Sequence, residues 1–159
     1  MEYAPDGSSL IVCYTSGKIR FLSLDTMDIE SNIQQKIKLK EIQQECKITE
    51  KNSGYQIKGI TVANNSQFFA TFEKNCAVCL FKKGKLFGDK NKEIEWIFAG
   101  KQRSHSLEIT DIAFGERLDE NQEPKLMLFS IGEDRMLYEY NIYKSNEKGL
   151  IIENGFKIE

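Results

Sequence analysis

The chain repeats itself. Three stretches share one layout: an apolar strand, a tight polar turn, and a second strand ending on a bulky residue. They are residues 10–24, 69–83 and 128–142. Laid over one another, the turn residues Ser16, Asn75 and Asp134 recur every 59 residues, and so do the bulky strand ends Leu22, Phe81 and Tyr140. A constant step at two landmarks constrains the fold more than local propensity does. Each unit becomes one supersecondary module that must bury its apolar face against the next.

A further strand precedes the pair in each unit. Residues 57–62 (IKGITV) and 109–114 (ITDIAF) lead the second and third, and Met1-Glu2-Tyr3-Ala4 reads as the tail of the same strand in the first. Turn chemistry follows it, as Pro5-Asp6-Gly7-Ser8 in one unit and Asn64-Asn65-Ser66 in the next. Residues 36–42, 94–99 and 150–152 are candidates for a fourth strand. Short β-rich strands separated by polar turns predict an all-β chain of about three four-stranded blades of a partial β-propeller, with units near 1–42, 57–99 and 105–157. Residues 29–46 are ambiguous, since positions 29, 33 and 37 suit a helix while Ile37 and Leu39 alternate like a strand.

Composition fits such a chain and narrows its partners. With 40% hydrophobic and 11% aromatic residues and only two prolines, 159 residues can pack as one globular unit. A net charge of −2, from 22 basic and 24 acidic residues, supplies no field to draw in a phosphate backbone, so no nucleic-acid partner is expected. No apolar run approaches the roughly 18 residues that a membrane span needs. The first residues lack the charged and apolar regions of a secretory signal, which predicts an intracellular protein. Cys13, Cys46, Cys76 and Cys79 are too few and scattered for a disulfide framework and are expected to be reduced.

The third unit carries a family resemblance. Ser104-His105, the strand 109–114, Ser130, Asp134 in a turn and Tyr140 on the last strand together resemble a WD40 repeat. The resemblance implies a hydrogen-bonded blade network of His105, Ser130, Asp134 and Tyr140, with tyrosine where the family places tryptophan. In the first two units Ser16 and Asn75 replace the aspartate, Leu22 and Phe81 replace the tryptophan, and no histidine is at hand. Those blades are expected to rest on apolar packing instead. The usual WD40 unit is about 40–45 residues, so the longer step implies charged insertions at 25–56, 82–92 and 115–124.

Residues 96–141, beginning at Trp96, are more particular and resemble ciliary WD-repeat scaffold proteins. That resemblance implies a non-enzymatic scaffold in the cytoskeleton of the motile cilium, in the axoneme at the base of a radial spoke. Its partners would be other spoke-base subunits and calmodulin-associated proteins of the calmodulin- and spoke-associated complex. A WD40 adaptor of a non-ciliary complex, in ubiquitin ligation or trafficking, is the alternative. Because a closed ring needs about 4–8 blades, three leave two faces open. The chain is then expected to be part of a longer protein, or to take its missing blades from another chain.

Rival chemistry is weaker at each candidate position. Cys76-Ala77-Val78-Cys79 falls on a strand, whereas a redox pair sits at a helix N-terminus and a zinc site needs about four ligands. His105, Ser130 and Asp134 could be set out as a hydrolase triad, but no G-x-S-x-G elbow surrounds Ser130. Glu95 stands where a phosphate loop ending at Gly100-Lys101 would need glycine. Residues 119–123 lack the alternating ligands of a calcium loop. Lys36, Lys38, Lys40 and Lys47 form a mildly basic stretch interleaved with Glu41, Glu45 and Glu50 and read as a solvated face. No catalytic residue, cofactor, metal or small-molecule substrate is expected.

Overall fold

The structure is a computed structural model. It describes residues 1–7, 9–14, 16–17, 19–24, 39–42, 55–84, 95–119 and 121–159, with the backbone alone at 9, 20–24, 39–42 and 95. Among these residues there are strands and turns and no helix. The first sheet joins β1 (Glu2–Tyr3), β2 (Ser9–Cys13), β3 (Ile19–Leu24) and β4 (Leu39–Ile42). The second joins β5 (Ile57–Val62), β6 (Phe68–Glu73), β7 (Ala77–Gly84) and β8 (Glu95–Arg103). The third joins β9 (Ile109–Leu118), β10 (Pro124–Gly132), β11 (Met136–Asn146) and β12 (Gly149–Lys157). Every neighbouring pair is antiparallel and sequential, so the chain is all-β and built of four-stranded meanders consistent with propeller blades.

The repeat is written into the backbone at its turns. Gly17, Cys76 and Arg135, 59 residues apart, all take positive φ in the turn between the second and third strands. Each donates its amide three residues back, to the carbonyls of Tyr14, Glu73 and Gly132. Gly7 and Ser66, also 59 apart, do the same in the preceding turn, bonding Ala4 and Ala63. Asn75 and Asp134 stabilise their turns identically, each accepting the amide two residues on, from Ala77 at 3.2 Å and Met136 at 3.1 Å.

Successive sheets stack face to face, and the core lies in the two seams between them. Between the first and second sheets, Ile11 and Ile19 meet Phe69, Cys79 and Phe81. Phe69 and Phe81 stack at 4.4 Å, and Trp96 closes on Phe69 edge-on at 4.9 Å. Between the second and third, Ala70, Phe72, Val78, Leu80 and Ala99 meet Ile109, Ile112, Leu128, Tyr140, Ile142 and Leu150. The middle sheet is covered on both faces, which is why residues 69–73 and 77–81 are buried without alternation. Below the first seam, Lys83 pairs with Asp6 at 3.3 Å and the Asp6 amide donates to Ser66.

One predicted insertion is strand instead. Residues 115–118 and 124 extend β9 and β10, and between them the Asp119 carboxylate accepts the Asn121 and Glu123 amides. The charged stretch forms a ladder because its side chains alternate across the pleat. Gly115 leaves room for the Phe129 ring, and Arg117 reaches Glu139 at 2.7 Å. Of the other two expected insertions, residues 39–42 and 82–84 are strand, and most of the remainder lies outside the described residues. So do Lys36, Lys38, Cys46 and Lys47.

Candidate functional site

At the turn end of the third sheet, the segment joining β8 to β9 lays His105 across β10 and β11. His105 Nδ1 lies 2.9 Å from Asp134 Oδ1 and Nε2 lies 2.7 Å from Ser130 Oγ. Ser130 Oγ is 2.8 Å from the Tyr140 hydroxyl. The four residues named from the sequence are thus brought into one connected group. Ser104 extends it by bonding the Tyr140 hydroxyl, and the Ser106 amide donates to Asp134 Oδ2 at 2.9 Å. The Tyr138 ring stands edge-on to the imidazole at 4.8 Å. With a neutral His105 every proton has a place. Ser104 donates to Tyr140, Tyr140 to Ser130, Ser130 to Nε2, and Nδ1–H to Asp134.

Burial sets the electrostatics. It opposes the charged form of Asp134, yet hydrogen bonds from His105, Ser106 and Met136 together hold the carboxyl below its ordinary 3.8. Burial also raises the Tyr140 hydroxyl above its ordinary 10, against the hydrogen bonds from Ser104 and Ser130. His105 and Ser130 are both buried, and the hydroxyl of Ser130 is committed on two sides. Chemically, the group ties two adjacent strands to the incoming loop and presents no open nucleophile.

The second sheet holds a polar group at the corresponding place, which corrects the expectation of apolar packing alone. Glu73 is buried on the face toward the first sheet, where it pairs with Lys101 and accepts the Cys79 thiol at 3.5 Å. Lys101 also lies over the Tyr55 ring, 5.9 Å from its centroid. A carboxylate here lets a lysine from the fourth strand do what a histidine from the loop does one sheet later. Sequence reading missed it because Glu73 and Lys101 are 28 residues apart and match no motif. The available signal was a carboxylate, Glu73, in line with the apolar strand residues 68–72.

Cys76 and Cys79 play different parts. Cys76 occupies the positive-φ turn position, while Cys79 points into the first seam. Burial pushes the Cys79 thiol up, with the Glu73 carboxylate adding to it, and burial pushes Cys13 up to about 12. Neither is a ready thiolate. Gly100 and Lys101 lie inside β8. Among the described residues no cluster of three or more His, Cys, Asp or Glu side chains could hold a metal ion.

No protein-family model matches the chain. It is 33% identical over 156 residues to cilia- and flagella-associated protein 251 of Tetrahymena thermophila, a match covering 94% of this chain and 14% of that protein. It is 29% identical over 145 residues to the protein of the same name from Mus musculus, covering 91% of this chain and 10% of that one. The chain therefore spans between a tenth and a seventh of the length of these two curated relatives, and the likeness takes in residues of all three sheets.

Proposed function

We propose that the chain is a non-enzymatic protein-interaction scaffold of the motile-cilium axoneme. Within it, the chain contributes to the base of a radial spoke in the calmodulin- and spoke-associated complex. The observation carrying this reading is the similarity to two proteins named for cilia and flagella, which extends over 91–94% of the chain and links a ciliate with a mammal. The resemblance of residues 96–141 to ciliary WD-repeat scaffolds supplies the radial-spoke detail. The enclosed His105–Ser130–Asp134–Tyr140 group supports a rigid scaffold, since its polar atoms are spent on each other. Its partners are spoke-base subunits, and its open sheet faces are completed by further blades.

Tagging the endogenous protein in a ciliated cell and stripping the membrane with detergent tests the proposal. Retention along the axoneme is the expected result. A diffuse signal lost on extraction overturns it and leaves a WD40-like adaptor of another compartment.

A further inference from the structure

One hairpin reaches past the sheet it packs on. Phe114 holds the place in β9 that Val62 holds in β5, since their cross-strand partners, Leu128 and Phe69, are related by the step of 59. β5 ends at Val62, while β9 runs on through Leu118 and β10 begins back at Pro124. The pleat sends alternate side chains to one face. Ile112 and Phe114 pack in the second seam, so Glu116 and Leu118 follow them onto the same face, as Leu126 and Pro124 follow Leu128. Beyond the end of β5 that face is uncovered. Leu118 is 61% exposed, and Glu116 and Pro124 are exposed with it.

The strand edge beside that face is open too. β9 is the last strand of its sheet, and residues 115–118 pair with β10 alone among the described residues. In an antiparallel strand, alternate residues turn their N–H and C=O groups away from the neighbour. The stretch therefore presents backbone donors and acceptors to whatever lies alongside, which makes it a template for a further extended chain. It is also held in shape. Asp119 fixes the hairpin tip by accepting the Asn121 and Glu123 amides, and Arg117 is tied on the far face to Glu139. An edge already rigid gives up little entropy when a strand is added to it.

Charge decides what can add. Glu116 stands beside Leu118 on the open face and has no ion pair among the described residues. The neighbouring bases serve the other face, where Arg117 binds Glu139 and Lys125 lies near Glu153. A second copy of the same strand fits poorly. Antiparallel pairing about Glu116 sets that carboxylate against itself, and pairing about Arg117 does the same to the guanidinium; like charges directly opposite destabilise a pair. A lysine or arginine across from Glu116 turns the contact into a favourable one. We propose that the free edge of β9 at residues 115–118 takes up an extended segment of a partner protein, one with a basic and an apolar residue two positions apart. The basic side chain lies across from Glu116 and the apolar one covers Leu118. This names the kind of partner segment for the scaffold proposed above, and it rests on that reading.

The test titrates the isotope-labelled 159-residue chain with the capped peptide Thr-Leu-Thr-Lys-Thr-Leu-Thr and follows amide and methyl signals by NMR. Leucines on both sides of the lysine let either strand direction fit. Saturable shifts of the 115–118 amides and of the Leu118 and Leu126 methyls are expected. The peptide with glutamate in place of lysine should bind about fivefold or more weakly, and Glu116→Lys should reverse that preference. Leu118→Ser should weaken binding, while Glu133→Gln, at the opposite end of the sheet, leaves it unchanged. All three positions are exposed, so unmoved signals away from the hairpin report an intact fold. Absence of a saturable shift, shifts spread over other carboxylates, or an unaltered preference in Glu116→Lys overturns the proposal. Equal binding by the peptide with serines for leucines also overturns it, since charge alone would then suffice. Concentration-dependent self-association of the chain through 115–118 would assign the edge to a second copy and overturn it as well. None of these results bears on axonemal retention, which decides the ciliary reading separately.

Discussion

His105 is bonded through both ring nitrogens to groups that have little water to turn to. Removing the imidazole takes the Ser130 hydroxyl's acceptor and one of the two donors to Asp134 Oδ1, and leaving a buried donor or acceptor short of a partner costs about 1–3 kcal/mol. His105→Ala should therefore destabilise the chain by about 2–4 kcal/mol, read as a melting temperature lowered by about 5–12 °C in calorimetry. An unchanged melting point would show that the group does not hold the sheet. The pH dependence has a definite sign. Asp134 is held ionised in the fold, so its contribution is complete above the ordinary value of 3.8 and is lost as pH falls through its depressed value. Acid melting curves should steepen below that point, and Asp134→Asn should flatten them. Part of this group was readable in the sequence because histidine, serine, aspartate and tyrosine fall at the places of a known motif. Ser104 and the Glu73–Lys101 pair were not. Ser104 stands beside His105 in the motif but nothing in the sequence gives its bond to Tyr140, and the lysine's partner is fixed by cross-strand register that spacing does not reveal.

Strands and turns were the most legible level. Residues 57–62 were expected as a strand and form one with the same bounds. The turn residues at step 59 keep a common conformation even where glycine is replaced by cysteine or arginine. Charge misled the reading at 115–124, because Glu116 and Arg117 look like loop residues until Glu139 is seen to receive the guanidinium. Strand extents were also under-read, since β8 and β12 run on through glycine and polar residues. At β8 this has a mechanical cause. Gly100 holds φ at +144°, and a Cβ there would lie 2.7 Å from the Gly149 carbonyl oxygen and 2.8 Å from its carbon. The outermost strands of the second and third sheets touch through backbone at that point. Gly100→Ala combines backbone strain with a clash that no rotamer relieves, so a loss of about 2–4 kcal/mol is expected. Denaturant melts would show it as a lower midpoint with an unchanged slope. Gly149, whose added Cβ would meet nothing within 4 Å, is the matched control.

At the scale of the molecule, stability is shared between seams. A chain of stacked sheets behaves as modules joined by nearest-neighbour interfaces, so damage to one seam should stay near it. The first seam turns on the Phe69–Phe81 stack, bordered by Trp96 and Phe98 and facing Ile11 and Ile19. The second has its own cluster around Leu80, Leu128 and Tyr140, and the polar group of His105 lies on that side. Phe81 is fully buried, and truncating it to alanine opens a cavity worth about 3–5 kcal/mol. The first sheet meets the rest of the described structure through this seam and the Asp6 contacts with Ser66 and Lys83. Phe81→Ala should therefore release it before anything else. Hydrogen exchange followed residue by residue should show β2 and β3 amides losing protection by about a hundredfold or more, as such a loss implies. Protection in β9, β10 and β11 should hold. Uniform loss across all three sheets would mean that the seams act as a single cooperative core, and that the stack of separable modules is the wrong description.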